Sequence, residues 1–385
     1  MTLYKNIVVS LLSFFAIFLV VFNATATPSL ILKDKPSPEH RLKGYYTYDE
    51  LTTLLQQLHT QYPTIFTYYS IGKTYEGRDI WVVQLENTQS PKQNKTAVLY
   101  IGGMHGNEPL GSETVIYSMK AITENYTTAY VNQSFTEQIC HIIDNVTLYF
   151  VPMINPDGIE AGTRKNRQAN QCPLGRTLYC GVDLNRNFPY AWDKLDEFPF
   201  QYRFGHWNAQ TFREHPLQFL LSKFPTLFFP TTVKYPMGDI EVFIPYLKGG
   251  HYRGPAPLSE KETQALDSFV ANHSISLAVD YHSPGEKILF PWYSSRDSSP
   301  DDQKLRAIAS NLSSINGYEL LQGGDWYLTP GCIMDYLYTK YNILPFTIEL
   351  GSLKHPSDFT SKNRIHDICE THVYVNLCLA EYALT

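Results

Sequence analysis

The sequence predicts an α/β fold with a largely buried, mixed sheet. Three observations carry that expectation. Short apolar runs rich in β-branched and aromatic residues recur along the chain, helical patterns alternate with them, and several of the runs lack a polar face. Strands covered on both sides by helices read as continuous apolar runs, whereas half-exposed strands alternate. The 385 residues are 43% hydrophobic, enough to bury a large core in one large domain or two small ones.

The elements follow in order. After a polar, Pro-containing leader over residues 27–44, TYDELTTLLQQLHTQYP opens with Thr47 and Glu50 spaced as a capping box, and Leu51, Leu54, Leu55 and Leu58 share one helical face. This is the expected first helix of a folded domain covering residues 45–385. DIWVVQLE and TAVLYIGG predict strands, Pro109 to about Tyr126 a helix, and VTLYFVPMIN a further strand. Later, SISLAVDYH and ILPFTIELG predict strands, Gln303 to Ile315 a helix, and Asn363 to Leu384 a terminal helix. Between Phe188 and Tyr252 an insert of about residues 190–250 is rich in aromatics and prolines and has little periodicity. A loop of that length is usually functional or flexible.

At the start of the chain, Lys5, an apolar run from Ile7 to Phe22, and the small residues Ala24-Thr25-Ala26 have the pattern of a secretory signal peptide over residues 1–26. An uncleaved membrane anchor is the alternative, because the run is only slightly short of a bilayer span. Export would make the protein secreted and would permit disulfides among Cys140, Cys172, Cys180, Cys332, Cys369 and Cys378. Cys172 and Cys180 flank a short loop and could close it; Cys369 and Cys378, nine apart in a helical pattern, would face different ways. Asn94, Asn125, Asn132, Asn145, Asn272 and Asn311 begin N-x-[ST] sequons, candidates for exposed loops in a host that glycosylates. The formal charge of −6, without long runs of one sign, gives no footprint for nucleic acid or an anionic membrane surface.

The chemistry gathers at strand ends. His105 and Glu108, in GGMHGNEPLG, follow the strand TAVLYIGG and precede the helix begun at Pro109. In open α/β sheets that is where ligands bind. Alone, the HxxE spacing equally suits a hydrogen-bonded turn. SISLAVDYH, however, ends in His282, and PFTIELG puts Glu349 at the end of an apolar strand. Two imidazoles and one carboxylate fill three corners of a zinc tetrahedron and leave the fourth open, and a second carboxylate could take a proton from water there. Singly, His282 would read as a satisfied core histidine and Glu349 as part of a buried ion pair.

HGNE, NPDG, RKNR, GVDLNRNF, DYHS, YLTPGCIMDY and FTIELG stand in the order and approximate spacing of the zinc metallocarboxypeptidases of the carboxypeptidase A type, which the chain resembles from about Tyr45 to its C-terminus. The resemblance implies a three-layer α/β/α carboxypeptidase-like fold, a mixed twisted sheet flanked by helices, with one Zn2+ per chain. It places His105, Glu108 and His282 as zinc ligands, Asp183 as the carboxylate orienting the first histidine, and Glu349 as general base and acid. It likewise places Arg164 beside the oxyanion, Asn185 and Arg186 on the substrate's terminal carboxylate, and Tyr327 as the residue closing over that end. The implied activity is release of single C-terminal residues, with peptide or protein C-termini as partners.

Two departures qualify the subfamily. Asn107 stands where the digestive enzymes have arginine, as in the regulatory branch, whereas DYHSPGEKILFPW is closer to the digestive branch. Residues 27–44 leave no room for the digestive zymogens' long propeptide. Met334, just before Asp335, and Tyr293 fall where basic-specific relatives use an acid. With Thr329 and Thr347 they imply a specificity pocket for an apolar or aromatic C-terminal residue, because an unpaired cation would be costly to bury. Asp239 or Glu241 in the insert could supply an acid instead. Two rivals are an amidase of the same fold acting on cell-wall peptides with D-Glu or diaminopimelate, and an inactive peptide-binding relative.

Overall fold

A computed structural model describes residues 44–90, 92, 95–126, 133–167, 181–196, 251 and 253–384. The N-terminal segment, Cys172, Cys180, Asn94, Asn132, Asp239, Glu241 and most of the insert lie outside the described residues. The described residues fall within one compact unit.

The strands are β1 (Phe66–Lys73), β2 (Asp79–Leu85), β3 (Ala97–Gly102), β4 (Thr147–Val151), β5 (Ile275–His282), β6 (Lys287–Phe290), β7 (Glu319–Gln322) and β8 (Leu344–Glu349). They form one eight-stranded sheet in the order β1-β2-β4-β3-β5-β8-β6-β7. The central strands β4, β3, β5 and β8 are parallel. Antiparallel pairings join β1 to β2, β2 to β4 and β6 to β8, while β7 runs parallel to β6. The described helices are α1 (Tyr48–Gln61), α2 (Pro109–Tyr126), α3 (Gln133–Asn145), α4 (Pro156–Ala161), α5 (Lys261–Ala271), α6 (Asp302–Asn316), α7 (Gly323–Trp326), α8 (Ile333–Tyr341), α9 (Ser357–Thr360) and α10 (Lys362–Glu381). Among the described residues no helix is long and apolar enough to cross a membrane.

Alternation along the strands sorts the core into two layers. Val98 and Tyr100 of β3, Val279 and Tyr281 of β5, and Phe346 and Ile348 of β8 pack on one face with Leu51 and Leu55 of α1, Met119 of α2, Leu312 of α6 and Leu377 of α10. On the opposite face, Leu99, Ile101 and Ala278 pack with Leu266 and Phe269 of α5 and Ile333 and Leu337 of α8. Successive side chains on a strand point to opposite faces, so a sheet buried on both needs helices on both. That gives the three-layer architecture.

The capping box forms as the sequence predicts: the Thr47 side chain accepts from Glu50 N, and Glu50 reaches back to Thr47 N. VTLYFVPMIN is shorter as a strand than expected, because β4 stops at Val151. Pro152 has no N–H to continue the ladder, and the chain turns to Asn155, which caps α4. Among the described residues, Cys369 and Cys378 on α10 are unpaired. Asn125 lies half-buried on α2, its side chain donating to Ala121 O at 2.8 Å, rather than in an exposed loop.

Candidate active site

The register of the central strands levels their carboxyl ends. Gly102 of β3 pairs with Tyr281, and His282 of β5 pairs with Glu349 of β8. The HGNE turn leaves β3 directly above this edge, against the NPDG turn. A Cβ on Gly106 would lie 2.0 Å from the Gly158 carbonyl carbon, so the two turns approach backbone to backbone and only glycine fits. Asn155 braces the junction: its amide donates to Met104 O at 3.2 Å and to Arg164 O at 3.4 Å, and its oxygen accepts from Gly158 N at 2.9 Å. Gly285 similarly makes room for Glu349, since a Cβ there would lie 2.6 Å from Glu349 Cβ.

His105, Glu108 and His282 converge, with one donor atom of each within 4.8 Å of the others. His105 Nδ1 lies 3.0 Å from Glu108 Oε1, and His282 Nδ1 2.8 Å from Glu108 Oε2. The far side of each imidazole rests on a fully buried aspartate: His105 Nε2 on Asp183 Oδ1 at 3.1 Å, His282 Nε2 on Asp280 Oδ2 at 2.7 Å. Those carboxylates accept the Nε2 protons, so that each Nδ1 is the nitrogen turned toward Glu108 and becomes a metal ligand once its own proton is lost. Ligands of a tetrahedral zinc lie roughly 3.3 Å apart, close to the spacing already present. The donor set and its outer partners therefore fit Zn2+.

Charge is concentrated here in buried and nearly buried groups. Burial would raise the Glu108 carboxyl, yet the neighbouring His105 and His282 hold it well below its usual range. Burial would also raise Asp183, but Arg164, His105 and Arg186 keep it well below. The His282 imidazole, which burial alone would depress, is carried well above its ordinary value by Asp280 and Glu108. Glu349 behaves differently. Burial pushes its carboxyl up to about 8, with Glu108 and Asp280 adding to the effect and His282 and Arg164 opposing it.

Arg164 lies between the two acids, its Nη1 donating to Glu108 Oε1 at 3.1 Å and its Nε to Asp183 Oδ2 at 2.9 Å. Burial works against its charge, but Asp183, Glu108 and Tyr327 outweigh that and raise its pKa. Tyr327 thereby belongs to the same electrostatic neighbourhood; its ring packs edge-on against Trp326 at 4.7 Å. Asn185 and Arg186 sit on the 3-10 turn Leu184–Arg186, capped by the Asp183 side chain. Asn185 Oδ1 accepts from Ile333 N at 3.0 Å, at the start of α8, and its Nδ2 lies 3.2 Å from His282 Nε2. That nitrogen cannot both donate to Asp280 and accept from Asn185. The carboxylate is closer, so the Asn185 amide retains donors for a ligand. Arg186 is buried, with Nη1 donating to Asn185 O at 2.7 Å.

Met334, Tyr293, Thr329 and Thr347, expected from the sequence to line a specificity pocket, are all buried. Tyr293 Oη accepts from Thr347 N at 3.0 Å, Thr329 N donates to Tyr293 O at 2.8 Å, and Met334 belongs to the same apolar cluster as Tyr293. Asp335 is no pocket acid. It accepts from Tyr293 N, Ser294 N and the Ser294 hydroxyl. Asn107 is exposed.

Two residues given no role from the sequence stand at the site. Asp280, behind His282, was legible, since period two puts it on the same strand face. His251, whose Nδ1 lies 3.0 Å from Asp183 Oδ2, follows the insert and carries no local signal.

The model of the zinc carboxypeptidase family matches residues 51–205 and 248–374, well over half of the chain, and the unmatched interval falls inside the insert. A zinc carboxypeptidase of Saccharothrix mutabilis subsp. capreolus is 26% identical over 321 residues, covering 80% of this chain and 62% of that protein. The carboxypeptidase N catalytic chain of Rattus norvegicus is 24% identical over 340 residues, covering 81% and 64%. The chain thus spans less than two thirds of the length of these relatives. Among solved structures, thrombin activatable fibrinolysis inhibitor superposes with a TM-score of 0.65 at 20% identity, covering 88% of this chain and 74% of that one. Carboxypeptidase A from Helicoverpa armigera gives 0.62 at 18% identity, covering 88% and 73%; both share the fold. On the extent of the family match, this chain belongs to the zinc carboxypeptidase family, whose enzymes use zinc.

Proposed function

We propose that the chain is a secreted zinc-dependent exopeptidase that releases single C-terminal residues from peptides and proteins, preferring apolar or aromatic ones. The observation that carries this reading is the convergence of the His105, Glu108 and His282 donors with Glu349 on the neighbouring strand and Arg164 alongside. Secretion is supported by the N-terminal pattern of Lys5, an apolar run and Ala24-Thr25-Ala26.

His105, Glu108 and His282 would hold the zinc, which when bound supplies a Lewis acid that polarises the scissile carbonyl and acidifies water. Glu349 takes a proton from the attacking water and delivers it to the leaving amine nitrogen as the C–N bond breaks. Arg164 offers guanidinium donors to the oxygen that gains charge. The fork of Arg186, with the Asn185 amide, receives the terminal carboxylate and so restricts cleavage to the last peptide bond. Tyr327 closes over that end. The described residues assigned to the pocket, Tyr293, Met334, Thr329 and Thr347, include no acid to pair a basic side chain, which supports the apolar preference.

The test uses purified protein and peptides that differ only in their C-terminal residue, each free or amidated, with and without a chelator. Release of one residue from free C-termini alone, lost on chelation and restored by zinc, is the expected result. Cleavage of amidated peptides would overturn the carboxylate clamp. Preferential release of Lys or Arg would overturn the pocket assignment, and action on γ-linked cell-wall peptides alone would replace the reading with the amidase.

A further inference from the structure

We infer that His251 is a positioning residue of this site: its Nδ1 donates to Asp183 and fixes the carboxylate that orients both His105 and Arg164. The kinetic part of this inference rests on the proposed peptidase reading; the metal-binding part does not.

A carboxylate offers about four acceptor positions, and all four of Asp183 are used. Oδ1 faces His105 Nε2 at 3.1 Å and accepts from Asn185 N at 3.1 Å. Oδ2 accepts from Arg164 Nε at 2.9 Å and meets His251 Nδ1 at 3.0 Å. Asp183 is fully buried, and these four protein donors meet its acceptor positions. Rotation of this one carboxylate would turn the His105 ring and shift the Arg164 guanidinium together. His251 bonds the oxygen that Arg164 also uses, and so opposes that rotation.

The protonation state suits the role. Burial and the nearby charges of Arg164 and Arg186 depress the His251 imidazole to about 4, against the pull of Asp183. The ring is neutral at neutral pH and donates a proton to Asp183 without cancelling its charge, so the carboxylate can still strengthen His105 as a ligand. The contact joins residues 68 apart in sequence, and the family match resumes at residue 248, just before His251. Among the described residues, His251 is the first after the insert.

The test compares His251→Ala, His251→Asn and His251→Gln in the zinc-loaded protein. Zinc affinity is measured by competition with a chromophoric chelator, and kcat and KM on a peptide with a free C-terminus. Loss of the donor in His251→Ala should weaken zinc about fivefold to tenfold and lower kcat about tenfold, with KM changed less than about threefold. Asn places an N–H near the position of Nδ1 and should restore both readouts to within about threefold; Gln reaches the position of Nε2 and should not. Wild-type affinity and kcat in His251→Ala would overturn the inference. So would equal losses in Asn and Gln, which would mark a packing role. If alanine prevents folding, the Asn and Gln comparison decides. If the wild type hydrolyses no peptide, the proposed function fails, while the zinc affinities of the variants still decide the role of His251.

Discussion

His282 and Glu349 stand opposite each other as the last residues of two neighbouring parallel strands, β5 and β8. The imidazole proposed as a metal ligand and the carboxylate proposed to transfer the proton are thus held by sheet register rather than by loops. The period of two extends the pattern: Asp280 and His282 on β5, and Thr347 and Glu349 on β8, face the same layer. One face of two strands supplies the proposed outer partner of the metal site, the proposed ligand, the proposed pocket wall and the proposed base.

Replacing Glu349 by Gln removes the proton acceptor while keeping the shape. Hydrolysis of a free C-terminal peptide should fall about a thousandfold, in the range of general acid–base contributions. Zinc content, measured by atomic absorption, should stay near one per chain because Glu349 is no ligand. Full activity in this variant would remove Glu349 from the mechanism.

Asp280 carries an oxygen, Oδ1, that is buried with no hydrogen-bond partner among the described residues. Such a group costs stability, so its retention is better explained by its other oxygen, on His282 Nε2. Asp280→Asn should weaken zinc about tenfold to a hundredfold in chelator competition. The thermal midpoint of the metal-free protein should change little. Unaltered zinc affinity would show that His282 is oriented without Asp280.

Legibility from sequence followed the physics of each element. The long apolar strands β3, β5 and β8, the capped α1 and the motifs at strand ends could be read because burial on both faces leaves continuous apolar runs. The four-residue strands β6 and β7 are too short for a period to register. The α8 segment is buried around most of its circumference, Ile333 to Tyr338 inclusive, so it shows no stripe. α3 was readable, since Ile139, Ile142 and Ile143 do form a stripe. His105, Glu108, His282 and Glu349 were visible at their strand ends; their assembly was not, because it depends on strand order. His251 depends on a chain return across the insert, which no local pattern encodes.

Arg186→Lys keeps the charge that helps hold Asp183 ionised but removes the planar fork. For peptides with a free C-terminus, kcat/KM should fall roughly a hundredfold, the value of a charged hydrogen bond made in the transition state. Amidated peptides, which cannot use the fork, should be cleaved as poorly as before. Selectivity between the two is the readout, and an unchanged ratio would place the carboxylate elsewhere.

Glu262 gives a pH prediction independent of the metal. Its side chain is fully buried, and Asn166 Nδ2 lies 3.1 Å from one oxygen and 2.8 Å from Glu260. Burial pushes its carboxyl up to about 7; hydrogen bonds oppose the shift, while Glu260 and Asp157 add to it. Because the folded pKa is raised, the folded state keeps a proton that the unfolded chain has lost. The resulting stabilisation is complete below the ordinary carboxyl pKa and disappears as pH rises through about 7. The full shift corresponds to roughly 3 kcal/mol. Glu262→Gln cannot ionise and should lose that part of the decline. Denaturant midpoints at pH 5 and pH 8 should therefore lie closer together in the variant than in the wild type. Glu113, also raised to about 7 by burial, remains in both and leaves a residual slope, so the comparison isolates Glu262. Equal midpoint differences in the two proteins would mean that Glu262 is already ionised in the fold.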